Sequence, residues 1–171
     1  MGYSQNIIRG RMHDGRGGTS RNSVVLNNVF YDCRSGAVRL PNHDNIFEGN
    51  YYAKMPEGFL ILTYPAPTQQ LDLKAWRRFE GQDKKGGYAA FGISVDEEKL
   101  IMHISPGRRV IDWDDSETIG YTSMNRQRSN AKVQTDYFGN KMEEERMPGP
   151  FEILSDEAEL NIDPRKKEYQ S

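Results

Sequence analysis

The sequence has little cysteine, no long hydrophobic run and almost no excess of charge. Its single cysteine, Cys33, excludes an internal disulfide and any zinc site built from several thiolates. No stretch approaches the roughly 18 apolar residues of a membrane-spanning helix, and the run at residues 59–62 has only strand length. Residues 1–8 lack the basic and apolar regions of a signal peptide. We therefore expect no membrane association, and either a cytoplasmic protein or a chain that begins inside a longer one.

The charged residues are balanced, which removes any global electrostatic case for binding nucleic acid. The chain has 23 basic and 25 acidic residues and a net charge of -2. Only 36% of its residues are hydrophobic and the mean hydropathy is -0.82, yet aromatic residues make up 11%. This mixture disfavours disorder and suits a β protein with an aromatic surface. A length of 171 residues fits one domain, or one domain and an appendage.

Residues 22–52 contain one short pattern twice, and this repeat is the main clue to the fold. A shift of 22 residues places Asn28 on Asn50 and apolar residues on apolar residues. The apolar matches are Val24 with Ile46, Val25 with Phe47, and Val29-Phe30 with Tyr51-Tyr52. A period of about 20 to 30 residues suits one coil of a β-solenoid, whose short strands must stack on those of the next coil. Asn suits the bends, since it tolerates left-handed backbone angles and its amide can bond to the same side chain one coil away.

An antiparallel pair of half-buried strands, joined by the turn-rich segment 33–36, is the alternative interpretation of the same residues. In both cases the pattern predicts strands near residues 23–31, 37–40, 45–52 and 59–64.

The first 21 residues are rich in glycine and arginine and predict a loop rather than a regular element. Within it, His13 and Asp14 lie between Arg11 and Arg16, so an acid, a possible base and two cations fall within a few positions. Polar clusters on loops of a rigid scaffold are candidate sites. The competing interpretation is that the arginines and the aspartate pair with each other and satisfy the loop backbone.

A second His-Asp pair, His43 and Asp44, follows a strand in the connector at residues 41–44. Corresponding loops of successive coils leave a solenoid on the same side, so both His-Asp pairs are predicted to face one groove. A turn that simply ends a strand is the alternative.

A single short helix is predicted at residues 73–80. Asp72 is a suitable N-cap and Gly81 a suitable C-terminal stop, and Trp76 is expected to be its core anchor. Beyond it, residues 91–95 and 99–104 predict two strands joined by the acidic turn at residues 96–98. The last residues are expected to be solvated or frayed.

Four segments together resemble the late coils and closing region of right-handed parallel β-helix proteins of the pectate-lyase-like superfamily. They are the Gly-rich segment 10–17, the Asn-rich segment 21–36, the helix at 71–76 with its Gly-Gln-Asp turn at 81–83, and the pair of segments 133–140 and 148–152. The last two are similar to bacterial β-helix glycosidases. The resemblance covers most of residues 7–154.

The resemblance implies an all-β fold in which residues 1–70 form the C-terminal coils of a right-handed parallel β-helix. Residues 71–154 are then a short helix with a small β-rich cap, and residues 155–171 a tail. Such proteins have many coils and are usually secreted or periplasmic, so the chain is expected to be the C-terminal part of a longer protein. Residues 1–40 are expected to stack on that protein's N-terminal coils or on another chain, because a cut solenoid exposes strand edges.

The implied function is carbohydrate-active, with a glycoside hydrolase favoured over a polysaccharide lyase. Hydrolysis needs two carboxyl groups at a set spacing, whereas lyase chemistry needs a base and often Ca²⁺. Asp14 is the preferred catalytic carboxylate, with His13 orienting it, and Asp32 is a lesser candidate. Substrate binding is assigned to Arg11, Arg16, His43 and Asp44. No cofactor is expected for a hydrolase, and no acidic triplet has the spacing of a Ca²⁺ loop.

Two non-catalytic functions stay open. One is a β-helix end that stabilises a parent enzyme or binds glycan, and the other is a phage-type receptor-binding piece, which would form a stable trimer.

Overall fold

A computed structural model describes residues 22–40, 43–62, 67–107, 118–119, 124, 127–128, 134–151 and 155–166. These residues form mostly short strands in small open sheets, with one α-helix and one 3₁₀ helix. The strands of the first part are β1 (Val24–Leu26), β2 (Val29–Tyr31), β3 (Val38–Leu40), β4 (Ile46–Glu48), β5 (Tyr51–Ala53), β6 (Leu60–Leu62) and β7 (Gln69–Leu71). Helix α1 (Leu73–Glu80) follows. The remaining elements are β8 (Gly87–Ala89), β9 (Phe91–Asp96), β10 (Ile101–Pro106), β11 (Thr118–Ile119), β12 (Gln127–Arg128), β13 (Glu145–Arg146), β14 (Ala158–Asn161) and the 3₁₀ helix Pro164–Lys166.

The repeat predicted from the sequence is confirmed as a repeat of strand pairing. Strand β1 pairs with β4, β2 with β5 and β3 with β6, all in parallel. In each pair, every residue faces the one 22 positions later, the separation that also joins Asn28 to Asn50. The antiparallel alternative for this stretch is therefore wrong.

Left-handed backbone angles break each predicted long strand into two. The stretch 23–31 bends at Asn27 (φ 57°) between β1 and β2, and the stretch 45–52 bends at Gly49 (φ 69°) between β4 and β5. Positive φ angles recur with the same 22-residue separation at Asn27 and Gly49, Asp32 and Lys54, and Gly36 and Gly58. Each repeat thus turns at equivalent positions, which keeps the following strands in register.

The interior is built from stacked equivalent side chains. The rings of Phe30 and Tyr52 lie 5.2 Å apart and within 9° of parallel. The other buried equivalents are Val25 with Phe47, Cys33 with Met55, and Val38 with Leu60. Apolar residues at equivalent positions of successive repeats thus form one continuous core, as a stacked repeat requires.

At one end of this stack, the strands have different pairing partners. Strand β5 pairs with the parallel strand β8, and β6 pairs with the antiparallel strand β7. At the other end, β1, β2 and β3 are the outer strands of their sheets among the residues that the structure describes. The further coils predicted to contact residues 1–40 would stack on β1, β2 and β3 at this second end.

Helix α1 forms over the residues predicted for it. Asp72 accepts a hydrogen bond from Ala75 N, and Gly81 takes a left-handed angle (φ 68°) that ends the helix. Trp76 is fully buried with its ring edge-to-face on Phe47, which confirms it as the core anchor.

A second small core lies beneath an antiparallel sheet of order β14-β10-β9. The predicted hairpin is confirmed, with bounds shifted by one or two residues, and its turn is stabilised by Asp96, which accepts from Glu98 N and Lys99 N. Residues 158–161, within the predicted tail, supply the third strand of this sheet.

Candidate functional site

An open groove of about 610 Å³ lies over β4 and the end of α1. Its lining includes Asn22, His43, Asp44, Ile46, Glu48 and Gln82. The structure therefore brings together two residues that the sequence assigned to substrate binding, His43 and Asp44, and a further carboxylate, Glu48.

The alternation of strand β4 explains which side chains face the groove. Ile46 is 57% exposed, whereas its neighbour Phe47 is 1% exposed and belongs to the core. Ile46 also lies beside the exposed Val24 of the parallel partner strand, so the two form an aliphatic ridge. The groove thus combines an apolar surface with polar groups on either side.

The two carboxylates of the groove belong to residues four positions apart, Asp44 before β4 and Glu48 at the end of β4. Glu48 Oε1 also accepts hydrogen bonds from Gly49 N at 3.1 Å and from Lys85 N at 2.6 Å, which directs it towards the backbone. Because one oxygen of Glu48 already accepts from two backbone N–H groups, this carboxylate suits the binding of hydroxyl groups better than it suits hydrolysis.

His43 is held by a buried carboxylate from the helix. Its Nδ1 lies 3.0 Å and 2.9 Å from the two carboxylate oxygens of Glu80, the last residue of α1. The Glu80 side chain is only 6% exposed and the imidazole 51% exposed. This contact holds the imidazole of His43 in place against the end of helix α1.

Asp32, predicted as a lesser catalytic candidate, occupies the turn after β2 and is not among the groove residues. Lys54 Nζ, at the equivalent turn of the next repeat, lies 2.8 Å from its Oδ2, and Arg34 Nε lies 3.9 Å from its Oδ1. Hydrogen bonding to Asp32 and the charge of Asp32 raise the pKa of Lys54. The arrangement is that of a surface ion pair between stacked turns.

The other predicted site residues, Arg11, His13, Asp14 and Arg16, lie outside the described residues. The buried thiol of Cys33 is not a nucleophile candidate, because burial raises its pKa to about 11.

The sequence reasoning missed the most deeply buried acid of this region, Asp83. Its Oδ1 accepts hydrogen bonds from the backbone N and the side-chain Nδ2 of Asn50, and its Oδ2 accepts one from the Tyr52 hydroxyl. Asp83 thereby ends the ladder that runs from Asn28 to Asn50, and burial raises its pKa. A fully buried carboxyl with these partners is structural, since no solute reaches it.

Next to it, Gln82 closes the free edge of β4. Its Oε1 accepts from Phe47 N at 2.5 Å and its Nε2 donates to Asn45 O at 2.7 Å. The side-chain amide takes the place that the peptide group of a further strand would occupy. The Gly-Gln-Asp turn singled out in the sequence is thus a terminator of the stack.

Across the described ranges, no three His, Cys, Asp or Glu side chains are grouped so that they could hold a metal ion. The same residues include no helix long and apolar enough to cross a membrane.

Comparison of the chain with protein-family models, curated proteins and solved structures gives no match. The class that the structure itself defines is a mostly-β protein with a stacked 22-residue strand repeat and an open polar groove on one of its strands.

Proposed function

We propose that the chain is the C-terminal end of a right-handed parallel β-helix in a carbohydrate-active protein, and that it binds saccharide in the groove over β4. The observation that carries this proposal is the position of the groove on the outward face of a parallel strand pair with the 22-residue offset. A solenoid presents such faces as extended binding surfaces.

The chemistry of the groove supports a saccharide ligand. A sugar needs donors and acceptors for its hydroxyl groups and an apolar surface for its ring. Asp44 and Glu48 supply acceptors, Asn22 supplies both donor and acceptor groups, and Ile46 supplies exposed aliphatic surface. An open groove also fits an oligosaccharide that extends beyond it.

For the whole protein we propose glycoside hydrolysis, with Asp14 as a catalytic carboxylate and His13, Arg11 and Arg16 beside it. Export to the periplasm or the exterior belongs to the same proposal. A non-catalytic glycan-binding end is the second candidate, favoured by one observation: one oxygen of Glu48, a carboxylate of the groove, is engaged by two backbone N–H groups.

Binding is tested with a glycan array, followed by calorimetric titration of the saccharides that bind. We expect Ile46→Ala and Asp44→Ala each to weaken binding by about tenfold, the equivalent of 1.4 kcal/mol. Val95→Ala is the matched control, because Val95 is also exposed but does not line the groove. If no saccharide binds, the proposal is wrong.

Catalysis is tested separately by reducing-end release from the saccharides that bind. Asp14→Asn is expected to lower kcat by several orders of magnitude, whereas Asp32→Asn is expected to leave it unchanged. Saccharide binding without turnover in the unaltered protein, or full activity of Asp14→Asn, would leave the non-catalytic candidate.

A further inference from the structure

We propose that the groove takes an uncharged saccharide and that Glu80 positions His43 to accept a hydrogen bond from one of its hydroxyl groups. This inference rests on the proposed function and adds the chemical class of the ligand.

The charges of the groove favour a neutral ligand over an acidic one. Its described lining includes the carboxylates of Asp44 and Glu48, and no Lys or Arg. A uronate or sulfate group brought into the groove would meet like charges, which oppose binding. Neutral hydroxyl groups would instead donate to these same carboxylates.

The contact between His43 and Glu80 favours a proton on Nδ1 of the ring. A carboxylate accepts hydrogen bonds, so Nδ1, which lies within 3.0 Å of both oxygens of Glu80, is assigned as the donor. In the neutral ring Nε2 is then the acceptor. A half-exposed imidazole in the groove wall therefore offers an acceptor to a hydroxyl group of the ligand.

The location of Glu80 supports a positioning role. It is the last residue of α1, where the helix dipole disfavours a carboxylate, and its side chain is almost completely buried. Both conditions are unfavourable unless a cationic or donor partner compensates them. His43 supplies a donor at that place.

The ligand class is tested by calorimetric titration of oligogalacturonate against its fully methyl-esterified form, alongside neutral galactan and xylan oligosaccharides. The ester pair has the same backbone and differs in charge at each ring. We expect the neutral ligand of this pair, or a neutral oligosaccharide of the panel, to bind at least about tenfold more tightly than oligogalacturonate. Asp44→Asn combined with Glu48→Gln should narrow that difference.

The positioning role has a readout that does not depend on any saccharide. Nitrogen-15 NMR of the imidazole is expected to show the Nδ1–H tautomer for His43 when the ring is neutral. Glu80→Gln should mix the tautomers, since an amide can donate as well as accept, and should weaken binding of the neutral ligand several-fold. Glu57→Gln, at an exposed position outside the groove, is the control.

The outcomes separate the two proposals. Tighter binding of oligogalacturonate, or an Nε2–H tautomer in the unaltered protein, overturns this inference and leaves saccharide binding intact. Absence of binding to every member of this panel and to every saccharide of the glycan array overturns the proposed function, and the ligand class with it.

Discussion

The hydroxyl group of Tyr52 donates a hydrogen bond to Asp83 Oδ2 at 2.6 Å, and both side chains are completely buried. Because a buried charge is costly, burial raises the pKa of Asp83 above its ordinary value of 3.8. Burial, followed by the charge of Asp83, raises the pKa of Tyr52 well above its ordinary value of 10.0. The end of the stacked repeat thus contains an acid whose protonation is linked to folding.

The first prediction concerns the pH dependence of stability. A pKa raised in the native state means that the native protein binds the proton more readily than the unfolded chain. The contribution of Asp83 to stability is therefore complete below about pH 3.8 and is lost as the pH rises through its native pKa. The unfolding free energy of the unaltered protein minus that of Asp83→Asn should fall over this window, measured by urea unfolding.

Asp96 provides a control of opposite sign. A hydrogen bond from Lys99 N lowers its pKa, so its contribution is present above pH 3.8 and is lost as the pH falls. The unfolding free energy of the unaltered protein minus that of Asp96→Asn should decrease as the pH falls. If the stability differences for Asp83→Asn and Asp96→Asn changed with pH in the same direction, the assigned directions of the two pKa shifts would be wrong.

The stacked repeat was predictable because its signal is local and periodic. Asn28 and Asn50, and the apolar residues around them, recur at a fixed spacing, and this spacing became the register of three parallel strand pairs. Asp83 carried no such signal, because it lies 33 residues after Asn50, outside the 22-residue period. Its role depends on where the chain returns after α1.

The second prediction is that Asn50 stabilises the repeat more than its equivalent, Asn28. Asn50 is fully buried, accepts from Asn28 N and Nδ2, and donates to Val25 O and Asp83 Oδ1. Asn50→Ala leaves several buried groups without partners and should cost roughly 2–4 kcal/mol of unfolding free energy. Asn28→Ala should cost about 1 kcal/mol, because Asn28 is only half-buried and its backbone N–H keeps its bond to Asn50. Urea unfolding of both variants checks the order, and a larger loss for Asn28→Ala would contradict it.

The third prediction is that Gln82 protects the edge of β4 as well as stabilising it. Gln82→Ala removes bonds to Phe47 N and Asn45 O and should cost roughly 1–3 kcal/mol. Unpaired strand edges associate with other chains, so we also expect a larger mass by light scattering at high protein concentration. Gln82→Glu should be at least as harmful to stability, since it keeps an acceptor for Phe47 N but sets a carboxylate oxygen against Asn45 O. Gln70→Ala, in the exposed part of β7, should change neither quantity.

The groove was only partly predictable. His43 and Asp44 stand out in the sequence as a polar pair after a strand, and the structure places both on the groove. Glu80 is 37 residues from His43 and reads in the sequence as an ordinary helix end. Only the packing of α1 against the repeat brings its carboxylate to the imidazole.

The fourth prediction compares two glycines with positive φ angles. At Gly36 (φ 116°) an added Cβ would lie 2.9 Å from Ile61 Cδ1 and 3.1 Å from the carbonyl oxygen of Phe59. At Gly81 (φ 68°) an added Cβ would meet nothing within 4 Å. Gly81→Ala should therefore cost about 1 kcal/mol, the strain of a left-handed residue alone. Gly36→Ala should cost roughly 2–4 kcal/mol, because steric overlap adds to an angle that L-residues rarely adopt. Urea unfolding of both variants measures these costs, and equal losses would mean that the turn between β2 and β3 relaxes freely and does not fix the register of the repeat.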